Sequence, residues 1–213
     1  MFKCLKCKDT GYESGTETRK GLTYSCVWVC DCKYPKMKEA AFGEKFKDKT
    51  LENYEGRTSS MESAKLKLIT NPDKSYFITG AVGLGKTHLM AGIYERLVRK
   101  YGTAIKVFTE EELSEKIRNK EEDVKPKTFK MVMIDDMGKI ELKDWQYDKF
   151  FAFFDGIYKY NRKLIISSNY TILEIVKFYG GAIARRIDEN CEIIEIKGIE
   201  QPELFDDKKG GSL

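Results

Sequence analysis

The chain has 213 residues, 41% of them hydrophobic and 34% charged, with a net charge of +4. That length leaves room for one well-cored domain and a small appendage, and excludes two full-sized domains. No apolar run approaches the roughly 20 residues of a membrane-spanning helix, and the opening MFKCLKCKD lacks a secretory apolar core, so no membrane association and a reducing, cytoplasmic setting are expected.

Five of the six cysteines fall within the first 32 residues, Cys4 and Cys7 in CLKC and Cys26, Cys30 and Cys32 in CVWVCDC. In a reducing compartment such clustering points to a metal before disulfides. Two cysteines separated by two residues can grip one ion from a tight turn, and a second pair closes the tetrahedral thiolate site of structural zinc. Cys4 and Cys7 supply the first pair. Cys30 and Cys32 are the favoured second pair, with sets that use Cys26 left open, because in a strand all three would share a face. A segment this short cannot bury enough apolar surface to fold alone, so the metal would supply folding free energy rather than catalysis. The first 50 residues also hold 11 Lys/Arg against 7 Asp/Glu, whereas the remainder balances at 27 against 27. A basic segment suits a nucleic-acid backbone, but it is equally an ordinary solvated surface, and four zinc-bound thiolates would offset much of its charge. The expected organisation is a zinc-binding module at 1–34, a Lys-rich linker with helical potential at 35–54, a main domain at 55–198 and a tail at 199–213.

The main domain opens on YFITGAVGLGKTHLMAGI, a short apolar run, a glycine-rich loop and a helical pattern through Leu89, Met90, Ile93 and Leu97. That order of strand, loop and helix is what a phosphate-binding loop requires. Gly80, Ala81, Val82, Gly83, Leu84 and Gly85 would wrap nucleotide phosphates with backbone N–H groups, and the dipole of the helix that begins with Lys86, Thr87 and His88 adds to the pull. Lys86 can reach the β- and γ-phosphates, and the Thr87 hydroxyl can hold magnesium.

Some 50 residues later FKMVMIDDMGK reads as a buried strand delivering two acids to the carboxyl edge of a parallel sheet. Asp135 is expected to bind magnesium through its water shell and Asp136 to polarise the attacking water. In DWQYDKFFAFFDGIYKY, Phe150, Phe153, Phe154 and Ile157 form a core-facing helical stripe, whereas EELSEKIRNKEEDVKPK reads as an exposed helix and loop. RKLIISSNY ends a further strand at Asn169, a candidate sensor of the γ-phosphate and the attacking water. GGAIARRIDENC places Arg185 and Arg186 before the last strand, and Arg186 is the candidate finger for a neighbouring subunit's phosphoryl group. Strands are expected at Tyr76–Thr79, Ala104–Phe108, Phe129–Ile134, Leu164–Ser167 and Cys191–Ile196, giving an α/β domain with a mostly parallel five-stranded sheet flanked by helices.

With TLENY, GKTHL, IDDMG, SSNY and IARRI in this order across 50–198, the sequence resembles the DnaC/DnaI-type replicative helicase loaders and the related IstB-type transposition ATPases of the AAA+ superfamily. CLKCKDTGY with a later CDC resembles the zinc-containing front part of some loaders. The resemblance implies an AAA+ oligomer with ATP between protomers and Arg186 acting in trans, which binds a hexameric replicative helicase and places it on single-stranded DNA. The IstB-like alternative would act on double-stranded DNA and a transposase. Two departures stand out: the front part is short, and no further helical lid or sensor arginine is evident after Ile196. At Asp136 related ATPases commonly carry a Glu, one methylene longer, so slow turnover is expected.

Overall fold

The computed structural model describes residues 2–198, so the tail expected at 199–213 lies outside the described residues. β1 (Tyr12–Arg19) and β2 (Leu22–Val29) form an antiparallel hairpin closed by Lys20 and Gly21, both at positive φ, the two-residue turn whose twist matches that of its strands. α1 (Tyr34–Phe42) and α2 (Ser59–Thr70) follow, then β3 (Tyr76–Gly80) and α3 (Lys86–Tyr101). The rest alternates: β4 (Ile105–Thr109), α4 (Glu110–Asn119), β5 (Met131–Met137), α5 (Asp144–Lys159), β6 (Lys163–Ser168), α6 (Ile172–Asn190) and β7 (Glu192–Ile196).

The five later strands make one parallel sheet in the order β4-β5-β6-β3-β7. Its strands are apolar on both faces because helices cover both. Tyr76, Ile78, Met131 and Met133 face α2 and α3, while Phe77, Val132 and Ile134 face Phe150, Phe154, Ile183 and Ile187 of α5 and α6. Each expected strand is present to within a few residues, and β5 runs on through a register shift between Ile134 and Met137 that takes in both aspartates. No helix among the described residues is long and apolar enough to cross a membrane.

Two segments differ from their sequence expectation. The Lys-rich connector is packed: Leu51 and Tyr54 are buried against α3, as is Tyr34 just before it, and Lys38 donates to the Lys49 carbonyl at 3.0 Å and pairs with Glu95 at 3.1 Å. Its charged letters hide two buried apolar anchors near its end, too few to show a helical stripe. The charged α4 is also anchored, since Leu113 and Ile117, four residues apart, enter the core together with Val124.

Candidate functional site

β3 ends at Gly80, and the glycine-rich loop delivers the chain to Lys86, the first residue of α3. Gly85 caps that helix in the left-handed conformation, at φ 80°, and a Cβ there would sit 2.7 Å from the Tyr54 ring. Tyr54 also donates its hydroxyl to the Leu84 carbonyl at 3.0 Å and meets His88 edge to face. With its proton on Nε2, His88 donates to the Thr50 carbonyl at 3.0 Å and to Asn53 Oδ1 at 2.9 Å. Residues 50–54 therefore buttress the loop from outside, a role that required the fold to be seen. Between them lies a cavity of about 810 Å³ that also reaches Arg57 and Met61, large enough for a nucleotide.

Across the loop, the tips of β5 and β6 bring the polar candidates together. Lys86 Nζ donates to the carbonyls of Gly80 and Ala81 at 2.7 and 2.8 Å and to Asn169 Oδ1 at 2.7 Å. Asn169 Nδ2 in turn donates to Asp136 Oδ1 at 3.1 Å. The Thr87 hydroxyl donates to Asp135 Oδ1 at 3.2 Å. Ser167 joins the two acids: its hydroxyl donates to Asp135 Oδ1 at 2.5 Å and accepts the Asp136 N–H at 2.8 Å. In the sequence Ser167 is legible only as a strand residue, because its role depends on the β5–β6 register.

Burial pushes the Asp135 carboxyl above its ordinary value, opposed by the Ser167 and Thr87 hydroxyls. Burial likewise lowers the Lys86 ammonium, opposed by Asp136 and Asp135. A buried acid beside a hydroxyl is a donor set that fits a hard divalent cation, whose charge would restore the carboxylate. Asp136 stands at φ 62°, unusual for a residue with a side chain, and pairs with Lys139 at 2.5 Å.

Arg186 is not part of this cluster. Near the end of α6, it pairs with Asp155 at 3.0 Å and Glu189 at 3.1 Å and lies over the Tyr158 ring. That end of α6 leads into the start of β7, whereas the glycine-rich loop follows the end of the parallel strand β3. Arg186 thus stands at the opposite rim of the sheet from its own chain's loop.

In the front segment Cys4, Cys7, Cys30 and Cys32 converge, all four sulfurs lying within 4.8 Å of one another. The Cys4–Cys30 and Cys7–Cys32 sulfurs are 3.7 and 3.5 Å apart, and a tetrahedral site with bonds of about 2.3 Å has edges of about 3.8 Å, so the set fits zinc. Burial alone would push the Cys7 thiol up, but the Gly11 N–H donating to its sulfur, with the neighbouring thiols, brings it down to about 7. Cys26 stands apart on β2, beside Glu17 and the Tyr24 carbonyl. The shared face expected for Cys26, Cys30 and Cys32 does not form, because β2 ends at Val29 and a short helical turn at Asp31–Lys33 redirects the two later cysteines.

This parallel α/β sheet, with its phosphate loop facing carboxylates on the adjoining strand tips and a matching ATPase family model, defines a P-loop ATPase domain of the AAA+ class. The family described as the bacterial DnaA ATPase domain matches residues 47–185, and the chain belongs to that family. The chromosomal replication initiator protein DnaA of Corynebacterium aurimucosum is 31% identical over 134 residues, covering 56% of this chain and 24% of that protein. The chain spans about a quarter of the length of the curated relatives it matches. Among solved structures, the DnaC helicase loader superposes with a TM-score of 0.63 at 21% identity, covering 72% of this chain and 99% of that one. DnaI gives 0.58 at 19%, covering 70% and 92%. DnaA bound to AMPPCP and single-stranded DNA gives 0.55 at 22%, covering 71% and 50%. At these identities the structural likeness establishes the fold.

Proposed function

We propose that this chain is an ATP-driven loader of a hexameric replicative DNA helicase, acting in the cytoplasm and placing the ring on single-stranded DNA. The observation that carries this reading is the continuous hydrogen-bonded path from Lys86 through Asn169 to Asp136, Ser167, Asp135 and Thr87, set in the fold of a helicase loader. The loop N–H groups and Lys86 bind the phosphates of ATP. Asp136 polarises the attacking water, and Asn169, already bonded to both Lys86 and Asp136, orients water and γ-phosphate together. Thr87 and Asp135 would hold magnesium, which when bound would supply positive charge to the ATP phosphates. Arg186, turned away from its own site, completes a neighbouring protomer's site in a homo-oligomer with ATP at the interfaces.

In this reading the front residues 1–34 hold zinc through Cys4, Cys7, Cys30 and Cys32 and dock the partner, while residues 55–198 form the motor. The hairpin leaves Leu22, Tyr24, Val27 and Trp28 exposed, which suits a protein surface. Turnover is slow for the isolated chain and rises with helicase or DNA. The test uses circular single-stranded DNA, the replicative helicase of the source organism and ATP, measuring helicase retained on the circles. Retention is expected to rise at least about tenfold with wild-type protein and not with Lys86→Ala. Equal retention with and without the protein would refute the loader reading, and selective capture of double-stranded DNA and a transposase would replace it with the IstB-like alternative.

A further inference from the structure

Three glutamates open α4, and they face three different ways. Glu112 completes a capping box with Thr109, Glu111 is exposed, and Glu110 is only 1% exposed. The buried carboxylate accepts three consecutive backbone N–H groups: Gly138 at 3.1 Å on Oε1, and Lys139 at 2.7 Å and Ile140 at 3.1 Å on Oε2. Successive amides converging on one anion form a nest, here filled by the protein's own side chain.

The loop so held follows β5 directly and carries Lys139, the partner of Asp136. The chain enters it through Asp136 at φ 62° and Gly138 at φ 114°, a position that only glycine suits because a Cβ would meet the Tyr170 ring at 2.5 Å. Tyr170 therefore closes one side of the loop and Glu110 ties down its amides. We infer that Glu110 is a positioning residue for ATP hydrolysis, fixing the Gly138–Ile140 loop so that Lys139 and the Asp136 backbone hold the Asp136 carboxylate against Asn169. The inference rests on the reading of Asp136 as the residue that polarises water.

Ionisation of Glu110 separates this role from a purely architectural one. Burial pushes its carboxyl up to about 7, against the three amide bonds that favour the charged form, and nearby Glu111 adds to the rise. Lys139 on the loop is the facing cation, with Asp136 behind it, and Glu111, Glu115, Arg118 and Lys143 line the cavity where α4 and the start of α5 meet Ile140. A proton on either oxygen replaces an acceptor with a donor and loosens at least one amide, so turnover should fall as pH drops through about 7. Stability has the opposite sign. The folded value lies above the ordinary 4.5, so the folded state holds the extra proton, and this group's contribution is lost as pH rises from 4.5 to about 7.

The experiment measures kcat and KM between pH 5.5 and 8.5 for wild type and Glu110→Gln, with amide exchange at residues 138–140 corrected for intrinsic pH dependence. Wild type is expected to show an acid limb in kcat near pH 7 with KM changed less than about twofold, and at least one of the three amides should lose protection across the same range. Glu110→Gln, which keeps only one acceptor oxygen, should turn over about tenfold more slowly at pH 8, lack that limb and leave at least one of the three amides unprotected at every pH. A retained limb in Glu110→Gln, or wild-type amides equally protected at pH 6 and pH 8, would overturn the inference. No wild-type turnover at any pH would instead refute hydrolysis at this site, while the exchange data still decide whether Glu110 holds the loop. The wild-type measurements need no variant to fold.

Discussion

The two ends of α3 meet two regions built on different principles. At its start lie the phosphate loop and a sheet buried on both faces, where Phe77, Ile78, Met133 and Phe154 are all almost completely enclosed. At its far end it meets the front hairpin, where the buried apolar side chains among residues 2–33 are Cys7, Val29 and Cys30. The first region is stabilised by apolar area removed from water, whereas the second has too little of it and relies on convergent thiols and a few contacts to α3. In the proposed reading, order in the small appendage is conferred by metal ligation, and order in the domain by packing.

The largest effect should come from removing the zinc proposed for the front cluster. Structural zinc contributes on the order of 10 kcal/mol to the fold it closes, so a chelator should abolish amide protection across β1 and β2 while leaving β3 and α3 protected. Cys30→Ser should likewise lose stoichiometric zinc, whereas Cys26→Ser, whose sulfur lies outside the cluster, should keep it. Protection of the hairpin in verified metal-free protein would erase the distinction between the regions. Next in size, Phe154→Ala removes a fully buried ring between α5 and the sheet and should lower denaturant stability by about 3–5 kcal/mol, with one zinc per chain still bound. Loss of zinc in that variant would show that the two regions fold as one.

The smallest effect sharpens the comparison at its seam. Arg99 of α3 pairs with Asp31 at 2.8 Å and lies over the Tyr34 ring at 4.4 Å, tying the module to the helix. Because the side chain is half exposed, Arg99→Ala should cost about 1 kcal/mol or less, read as a small shift in the thermal midpoint, with zinc content unchanged. A larger loss would mean that the seam, rather than the metal, orders the front of the molecule.

The same contrast explains what the sequence displays and what it conceals. The parallel strands are legible because burial on both faces makes them continuous apolar runs such as MVMI and LII, and the phosphate loop is legible because its chemistry lies in consecutive residues. Ser167 is not, since its tie between Asp135 and Asp136 exists only through pairing across more than 30 residues. Glu110 disappears into a run of three glutamates, where only the start of a helix against a loop separates the buried acid from the solvated one. Leu51 and Tyr54, inside a charged connector, gain meaning only once α3 supplies the surface they cover.

The hydrolytic centre itself is most directly tested by comparing ATP binding with single-turnover hydrolysis in wild type and Asp136→Asn. The substitution preserves size and the capacity to accept from Asn169 but removes the charge proposed to polarise water. ATP affinity is expected to stay within about twofold while hydrolysis slows about 100-fold. Unchanged hydrolysis in Asp136→Asn, with wild-type protein turning over under the same conditions, would contradict the account.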